Sequence, residues 1–174
     1  QVGGRWPELG TSPIVNLHVV YDRRVLELEF AAAVDSPVQF VFDRTESSGL
    51  DHGQCLAVSL SAADEEAGLS TGELRTRFER ALAELLPSAG GAHSEQFVVT
   101  REHTATFRAA PGHRSLRPGP RTPQAGLAVA GAWTDTGWPA TMEGAVRSGH
   151  SAAEVALAAL GTERAPVHAV GAAV

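Results

Sequence analysis

One stretch constrains this chain more than any other: Gly126 to Gly149, GLAVAGAWTDTGWPATMEGAVRSG. It opens with Leu127-Ala128-Val129-Ala130, four apolar residues that predict a short strand. Gly131 breaks the strand, and a turn holding Trp133 and Trp138 follows. Pro139 fixes the backbone there, and a helix is predicted from Thr141 or Met142. A strand, a glycine turn and a helix N-terminus, in that order, make a site for an anionic group. The N–H groups of the first helical turn lack acceptors within the helix, and the helix dipole places partial positive charge beside them.

The rest of the chain reads as α+β. Val15, Leu17, Val19 and Tyr21 alternate with Asn16 and His18 from Pro13 to Tyr21, which predicts a half-buried strand. Asp22-Arg23-Arg24 reads as a turn. Val25 to Phe30 alternates again, which allows a hairpin or, by the resemblance given below, an extended loop. Val38 to Phe42 and Cys55 to Leu60 read as further strands, separated by a polar, glycine-containing loop over 45–53. Connections this short predict an antiparallel sheet, unlike the parallel sheet of a dinucleotide fold.

Ser70 to Leu86 predicts a helix. Ser70-x-x-Glu73 is a capping box, Leu74, Phe78, Leu82 and Leu85 share one face, and Pro87 ends the helix. Arg75, Arg77 and Arg80 on the other side read as a solvated face. Gln96 to Phe107 reads as a strand, and prolines and glycines from Pro111 to Pro123 break regular structure after it. The final helix is predicted from Met142 to Leu160, with Gly161 as its C-cap. Its small residues Ala145, Gly149, Ala152 and Ala156 form a stripe that lets another backbone approach closely. Residues 1–12 read as loop, and 162–174 as a disordered tail.

Several function classes are excluded at this level. A net charge of −6 leaves no basic face for nucleic acid. The seven histidines show no metal-ligand spacing, and the single cysteine, Cys55, forms no intrachain disulfide. No apolar run approaches the roughly 20 residues of a membrane helix, and no signal peptide opens the chain, so the expected location is cytoplasmic. No Ser-His-Asp arrangement, His-Glu-x-x-His or P-loop occurs, and no catalytic acid or base stands out.

Ala130-Gly131, Gly137-Trp138-Pro139 and Met142-Glu143-Gly144-Ala145-Val146-Arg147-Ser148-Gly149 together resemble the C-terminal flavin motif of the FAD-dependent amine oxidase and phytoene desaturase superfamily. Ser12 to His18, Ser36 to Thr45 (SPVQFVFDRT) and Leu56 to Ala63 resemble the hydroxysqualene dehydroxylases, squalene-associated FAD-dependent oxidoreductases of hopanoid biosynthesis. The match runs from about Ser12 to Ala153. It implies FAD as cofactor and a long isoprenoid as substrate, with hydroxysqualene converted to squalene. It also implies peripheral contact of the whole enzyme with a membrane.

By the same resemblance, residues 1–110 form part of a substrate-binding domain and 111–125 a Pro/Gly-rich return loop. Residues 126–161 then supply the last strand and helix of an FAD-binding Rossmann-like domain, and 162–174 a tail. The cofactor-binding residues implied are Gly131, Ala132, Trp138, Pro139, Met142, Glu143, Gly144 and Ala145. A flavoprotein of this superfamily needs a G-x-G-x-x-G turn for the pyrophosphate, and the chain contains none. A missing N-terminal dinucleotide-binding half is therefore expected, and the 174 residues alone are expected to be inactive.

Family members carry an acidic residue after the Ala-Gly pair, where this chain has Ala132. One lost hydrogen bond to a cofactor costs ~1 kcal/mol. Asp135 is a candidate substitute. Glu143 has two open roles, a complement to the helix dipole or a group that orders the FAD loop. Arg101, Arg108, Arg114 and Arg117 lie in or near the return. Each is either a contact for a cofactor phosphate or for a carboxylate of the missing half, or a solvated loop arginine. Two other readings stay open: a carotenoid-type desaturase or amine oxidase, and a non-catalytic flavoprotein remnant or binding module. The absent glycine turn and Ala132 favour the remnant, and the MEGAVRSG segment opposes it.

Overall fold

In the computed structural model, which describes residues 9–161, the first alternating stretch forms strand β1, Thr11–Tyr21. Val15, Leu17, Val19 and Tyr21 are buried in the core, and Asn16 and His18 lie half-buried on the other face. The predicted loop over 1–12 gives way to strand at Thr11, two residues before the alternation begins. Residues 1–8 of that loop, and the predicted tail over 162–174, lie outside the described residues. The chain divides into two units, Thr11–Ala105 and a second unit made of the residues on either side.

The first unit is a sheet covered on one face by a helix. Its strands after β1 are β2 (Phe30–Ala32), β3 (Phe40–Asp43), β4 (Gln54–Ser61) and β5, which begins at Ser94 and runs to Phe107. Among the described residues these form one five-stranded sheet in the order β2-β3-β4-β1-β5. β1 pairs antiparallel with β4 from Ile14↔Ser61 to Tyr21↔Gln54. β4 pairs with β3, and β3 with β2, both antiparallel. At the other edge, Asp22 N–H donates to His93 O at 3.0 Å, and His93 N–H donates to Asp22 Oδ1 at 3.0 Å. The start of β5 therefore lies beside the end of β1. The Arg23 guanidinium and the His93 N–H hold the Asp22 carboxyl down to about 2.

The antiparallel sheet is as predicted, and of the two forms open to Val25 to Phe30 the chain takes the loop and not the hairpin. Val25 and Leu26 are adjacent and both buried, at 6 % and 5 % exposure, which alternation cannot give. Their N–H groups both donate to Gln54 Oε1, at 2.7 and 2.9 Å. Gln54 Nε2 donates in turn to Leu26 O and to Asp43 Oδ2, each at 2.7 Å. One buried amide thus satisfies the backbone groups that a ladder would have used.

The SPVQFVFDRT segment has a structural use at its end. Asp43 Oδ1 accepts from the Thr45 N–H at 2.9 Å and from the Thr45 hydroxyl, and Thr45 Oγ1 accepts from Cys55 N–H at 3.1 Å. These bonds turn the chain out of β3 into a one-turn helix, α1 (Thr45–Ser48), where loop was predicted. Burial resists ionisation of Asp43. Bonds from Thr45 and Gln54 and the charge of Arg24 outweigh it, and its carboxyl lies below the usual carboxylate value. On the outer face of the sheet, Phe30, Phe40 and Phe42 are in ring contact, with centroids 5.9 Å apart for Phe30–Phe40 and 5.0 Å for Phe30–Phe42.

A short helix, α2 (Asp64–Gly68), leads to α3 (Thr71–Leu85), which covers the core face. The predicted capping box is present: Glu73 N–H donates to Ser70 Oγ at 3.2 Å, and Ser70 N–H donates to the Glu73 carboxylate at 2.8 Å. Leu74, Phe78, Ala81 and Leu82 are buried against the sheet. The arginines on its far side are paired, Arg75 with Glu79, Arg77 with Glu65 and Arg80 with Glu84.

In the second unit the long element is α4, Met142–Ala159. Gly161, just past it, adopts φ +66°, the left-handed form expected of a helix-ending glycine. The strand predicted over Leu127 to Ala130 does not form. A single antiparallel bridge joins Arg121 and Ala128, and Val129 N–H donates to Pro120 O at 2.9 Å. The adjacent segment holds Pro118, Pro120 and Pro123, which have no N–H to extend a ladder. Among the described residues the small-residue stripe on α4 is only partly covered. Gly144 and Ser148 are the buried positions, with Ala152 and Ala156 half-buried, whereas Ala145 and Gly149 are exposed. Bonds made by Thr141 and Ser148 fix which face turns inward.

Gln54→Leu removes the acceptor for two buried N–H groups and is expected to cost about 2–5 kcal/mol in a urea titration followed by circular dichroism. A loss below about 1 kcal/mol would contradict this role. Asp43 titrates lower folded than unfolded, so its ionised form stabilises the fold at neutral pH. That contribution is lost as pH falls from about 4 toward the folded value. Asp43→Asn is expected to flatten the acid limb of the stability profile, and an unchanged limb would assign it to another carboxylate.

Candidate functional site

Gly131 is held from both sides. Its N–H donates to Ser148 Oγ on α4 at 2.8 Å, and its carbonyl accepts from Thr134 N–H at 3.0 Å and Thr134 Oγ1 at 2.9 Å. Ser148 Oγ donates onward to Ala145 O at 2.6 Å. Ser148 and Thr134 are both buried, so these bonds are shielded from water. Gly131 adopts φ +151°, and a Cβ there would collide with the Trp133 indole. The position requires glycine.

Arg117 gathers the rest of the turn. Its guanidinium donates to the carbonyls of Ala132 at 2.9 Å, Trp133 at 3.3 Å, Trp138 at 2.7 Å, and Thr134. It lies 5.1 Å from the centroid of the Phe107 ring. Next to it, Pro118 O accepts from Asp135 N–H at 2.8 Å. The Asp135 carboxylate accepts from Gly137 N–H at 3.2 Å and so closes the turn itself.

Trp138 and Pro139 lead into α4. Thr141 caps the helix: its Oγ1 accepts from Gly144 N–H at 3.2 Å, while its own N–H donates to Pro139 O at 2.8 Å. A Cβ on Gly144 would lie 2.5 Å from Pro139 O, so only glycine lets the helix start pack on the turn. The N–H groups of Met142 and Glu143 have no acceptor among the described residues. Glu143 pairs with Arg147 at 2.7 Å, and the Arg147 guanidinium lies 4.5 Å from the centroid of the Trp138 ring.

Six of the residues singled out in the sequence therefore belong to one bonded network: Gly131, Ala132, Trp138, Pro139, Glu143 and Gly144. Met142, 88 % exposed, and Ala145 lie on the open side of the helix start. Thr134, Thr141, Ser148 and the role of Arg117 were missed. Two had a signal: Thr141 stands three residues before Gly144, as an N-cap does, and Ser148 lies one turn beyond Gly144 on the same face. Of the other arginines of the return, Arg101 donates to Leu69 O at 2.8 Å.

The start of α4 fits the edge of a flat, electron-accepting ring. It offers two N–H groups without acceptors at the positive end of the helix dipole, and Gly144 lets that end close on Pro139. Trp138, 43 % exposed, offers a flat surface beside it. A cleft of about 290 Å³ adjoins the turn, lined in part by Phe107, His113, Arg117, Trp138 and Pro139. Among the described residues no group of three or more His, Cys, Asp or Glu is placed to hold a metal. No helix there is long and apolar enough to cross a membrane.

The chain belongs to the flavin-containing amine oxidoreductases, whose family model matches residues 6–157. FAD is the cofactor this membership implies. Its relatives include hydroxysqualene dehydroxylases. That of Sinorhizobium fredii is 35 % identical over 151 residues, which are 86 % of this chain and 33 % of the relative. That of Rhodopseudomonas palustris is 57 % identical over 61 residues, 35 % of this chain and 15 % of the relative. A 15-cis-phytoene desaturase from Synechococcus elongatus is 22 % identical over 154 residues, 84 % of this chain and 32 % of the relative. The chain thus spans a third or less of the length of these proteins. A solved putative protoporphyrinogen oxidase from Exiguobacterium sp. 255-15 has a similar fold, with a TM-score of 0.59 at 12 % identity over 87 % of this chain and 36 % of that one.

Ser148→Ala leaves the Gly131 N–H without its acceptor. The Gly131 amide is expected to exchange with solvent at least about tenfold faster, with the helix signal of α4 retained. An unchanged exchange rate would show that Ser148 does not hold the turn.

Proposed function

We propose that this chain is the C-terminal part of an FAD-dependent oxidoreductase that removes the hydroxyl of hydroxysqualene reductively, giving squalene and water, in hopanoid biosynthesis. The observation that carries the proposal is the start of α4, with acceptor-free Met142 and Glu143 N–H groups behind a glycine packed on Pro139. Those N–H groups would hold the N1–C2=O edge of the flavin, and Trp138 and Pro139 would lie against the ring. Gly131 and Ala132 would lie toward the ribityl chain and pyrophosphate. When bound, the flavin supplies the hydride chemistry. The dipole of α4 favours the charge that gathers on that edge in the reduced state and so raises the reduction potential.

In this reading, a missing N-terminal half carries the glycine-rich turn, and residues 126–161 complete its Rossmann-like domain. Residues 1–110 form part of the substrate domain. The isoprenoid substrate is supported by the names of the relatives and by the Phe30–Phe40–Phe42 cluster, an apolar surface suited to one wall of a tunnel. Such a substrate partitions into lipid, so the enzyme would work in the cytoplasm at a membrane surface. A carotenoid-type desaturase is the second reading, supported by the desaturase relative at lower identity.

The test uses the full-length protein. Wild type is expected to bind FAD and, when supplied with reductant, to form squalene from hydroxysqualene, detected by gas chromatography. Gly144→Val is expected to lower flavin content at least about tenfold by forcing Pro139 away from the helix start. Undiminished flavin in that variant would refute the placement of the cofactor. Desaturation of phytoene without turnover of hydroxysqualene would favour the second reading.

A further inference from the structure

The geometry points to Arg117 as a positioning residue that holds the Gly131–Thr141 turn in the shape that receives the flavin, an inference that rests on the reading proposed above. Arginine carries five N–H donors in a rigid planar fork and no acceptor. Here the fork meets the carbonyls of Ala132, Trp133 and Thr134 on one side of the turn and Trp138 on the other. Carbonyl dipoles converging on one point repel each other, and a cation at that point removes the repulsion. Lysine would bring the charge but only one nitrogen, which cannot span both sides of the turn.

Arg117 is itself fixed. Its guanidinium lies on the Phe107 ring, and the following residue, Pro118, is tied to Asp135 through a backbone bond of 2.8 Å. Among the described residues no carboxylate pairs with it, so its donors are directed at the carbonyls of the turn.

A run of rigid units carries its effect to the flavin contacts. The Trp138 carbonyl is held by Arg117, and Pro139 follows with its φ fixed by the ring. Pro139 O then accepts from Thr141 N–H and packs on Gly144, which sets where the Met142 and Glu143 N–H groups stand. Releasing the guanidinium frees the Trp138 carbonyl and with it the approach to the helix start. Arg117 acts through the turn and is not a catalytic residue.

The test compares Arg117→Ala, Arg117→Lys and Gly144→Val in the full-length protein. FAD affinity is read by quenching of flavin fluorescence, alongside the visible absorption spectrum and the midpoint potential. Arg117→Ala is expected to weaken FAD binding roughly tenfold or more and to lower the midpoint potential. Millimolar guanidinium is expected to restore both in Arg117→Ala and to change neither in wild type, a rescue that general destabilisation would not give. Arg117→Lys keeps the charge and the aliphatic stem. It is expected to fold normally yet bind FAD more weakly, and it carries the test if Arg117→Ala does not fold. Wild-type affinity and spectrum in Arg117→Lys, or in a folded Arg117→Ala, would overturn the inference even where Gly144→Val has lost its flavin. Full flavin in Gly144→Val would instead bring down the placement of the cofactor, and Arg117's role with it.

Discussion

A buried backbone N–H or C=O must have a partner, and at the decisive places in this chain a side chain provides it where no ladder runs. In the sheet unit that side chain is Gln54, which accepts from two consecutive N–H groups and donates to a carbonyl and to Asp43. In the second unit the work is shared. Ser148 takes the Gly131 N–H, Thr134 takes its carbonyl, and Arg117 takes the carbonyls around the turn. The bonds of Gln54, Ser148 and Arg117 join segments that sequence distance separates, and that of Thr134 closes the turn locally. The irregular segments keep a defined shape because these few polar side chains hold them.

The consequence for function is that the chain's own side chains hold the start of α4. Gly144 packs on Pro139, Thr141 caps the helix, and Arg147 stacks on Trp138 while pairing with Glu143. A site whose donors already stand in place loses little freedom when a cofactor binds. The flavin-containing amine oxidoreductase family supplies the cofactor that suits such a site.

Where periodicity or a local motif set the structure, it was legible in the sequence. The alternation of β1, the apolar run of β4 and the capping box of α3 are local signals, and each element formed. The motif around Met142 gave the start of α4 to within a residue, since Thr141 is the cap and Met142 the first helical position. What failed depended on distant partners. Val25 to Phe30 alternates like a strand, but Gln54, far along the chain, takes its N–H groups. Leu127 to Ala130 is apolar enough for a strand, but its neighbour is rich in proline. The buried positions at the start of α4 were not legible, because Ser148 reads as polar and yet is buried by its bond to Gly131. Arg117 stood among several arginines of one loop, and nothing in its neighbours distinguished it.

The central claim is that the start of α4 faces the flavin. Hydrogen exchange of the full-length protein, resolved to single amides and measured with and without FAD, tests it most directly. The Met142 and Glu143 amides have no acceptor among the described residues, so they should exchange fast without cofactor and slow markedly when FAD binds. If both amides exchange at the same rate in the two states while protection appears elsewhere, the flavin does not lie at this turn and the account is wrong.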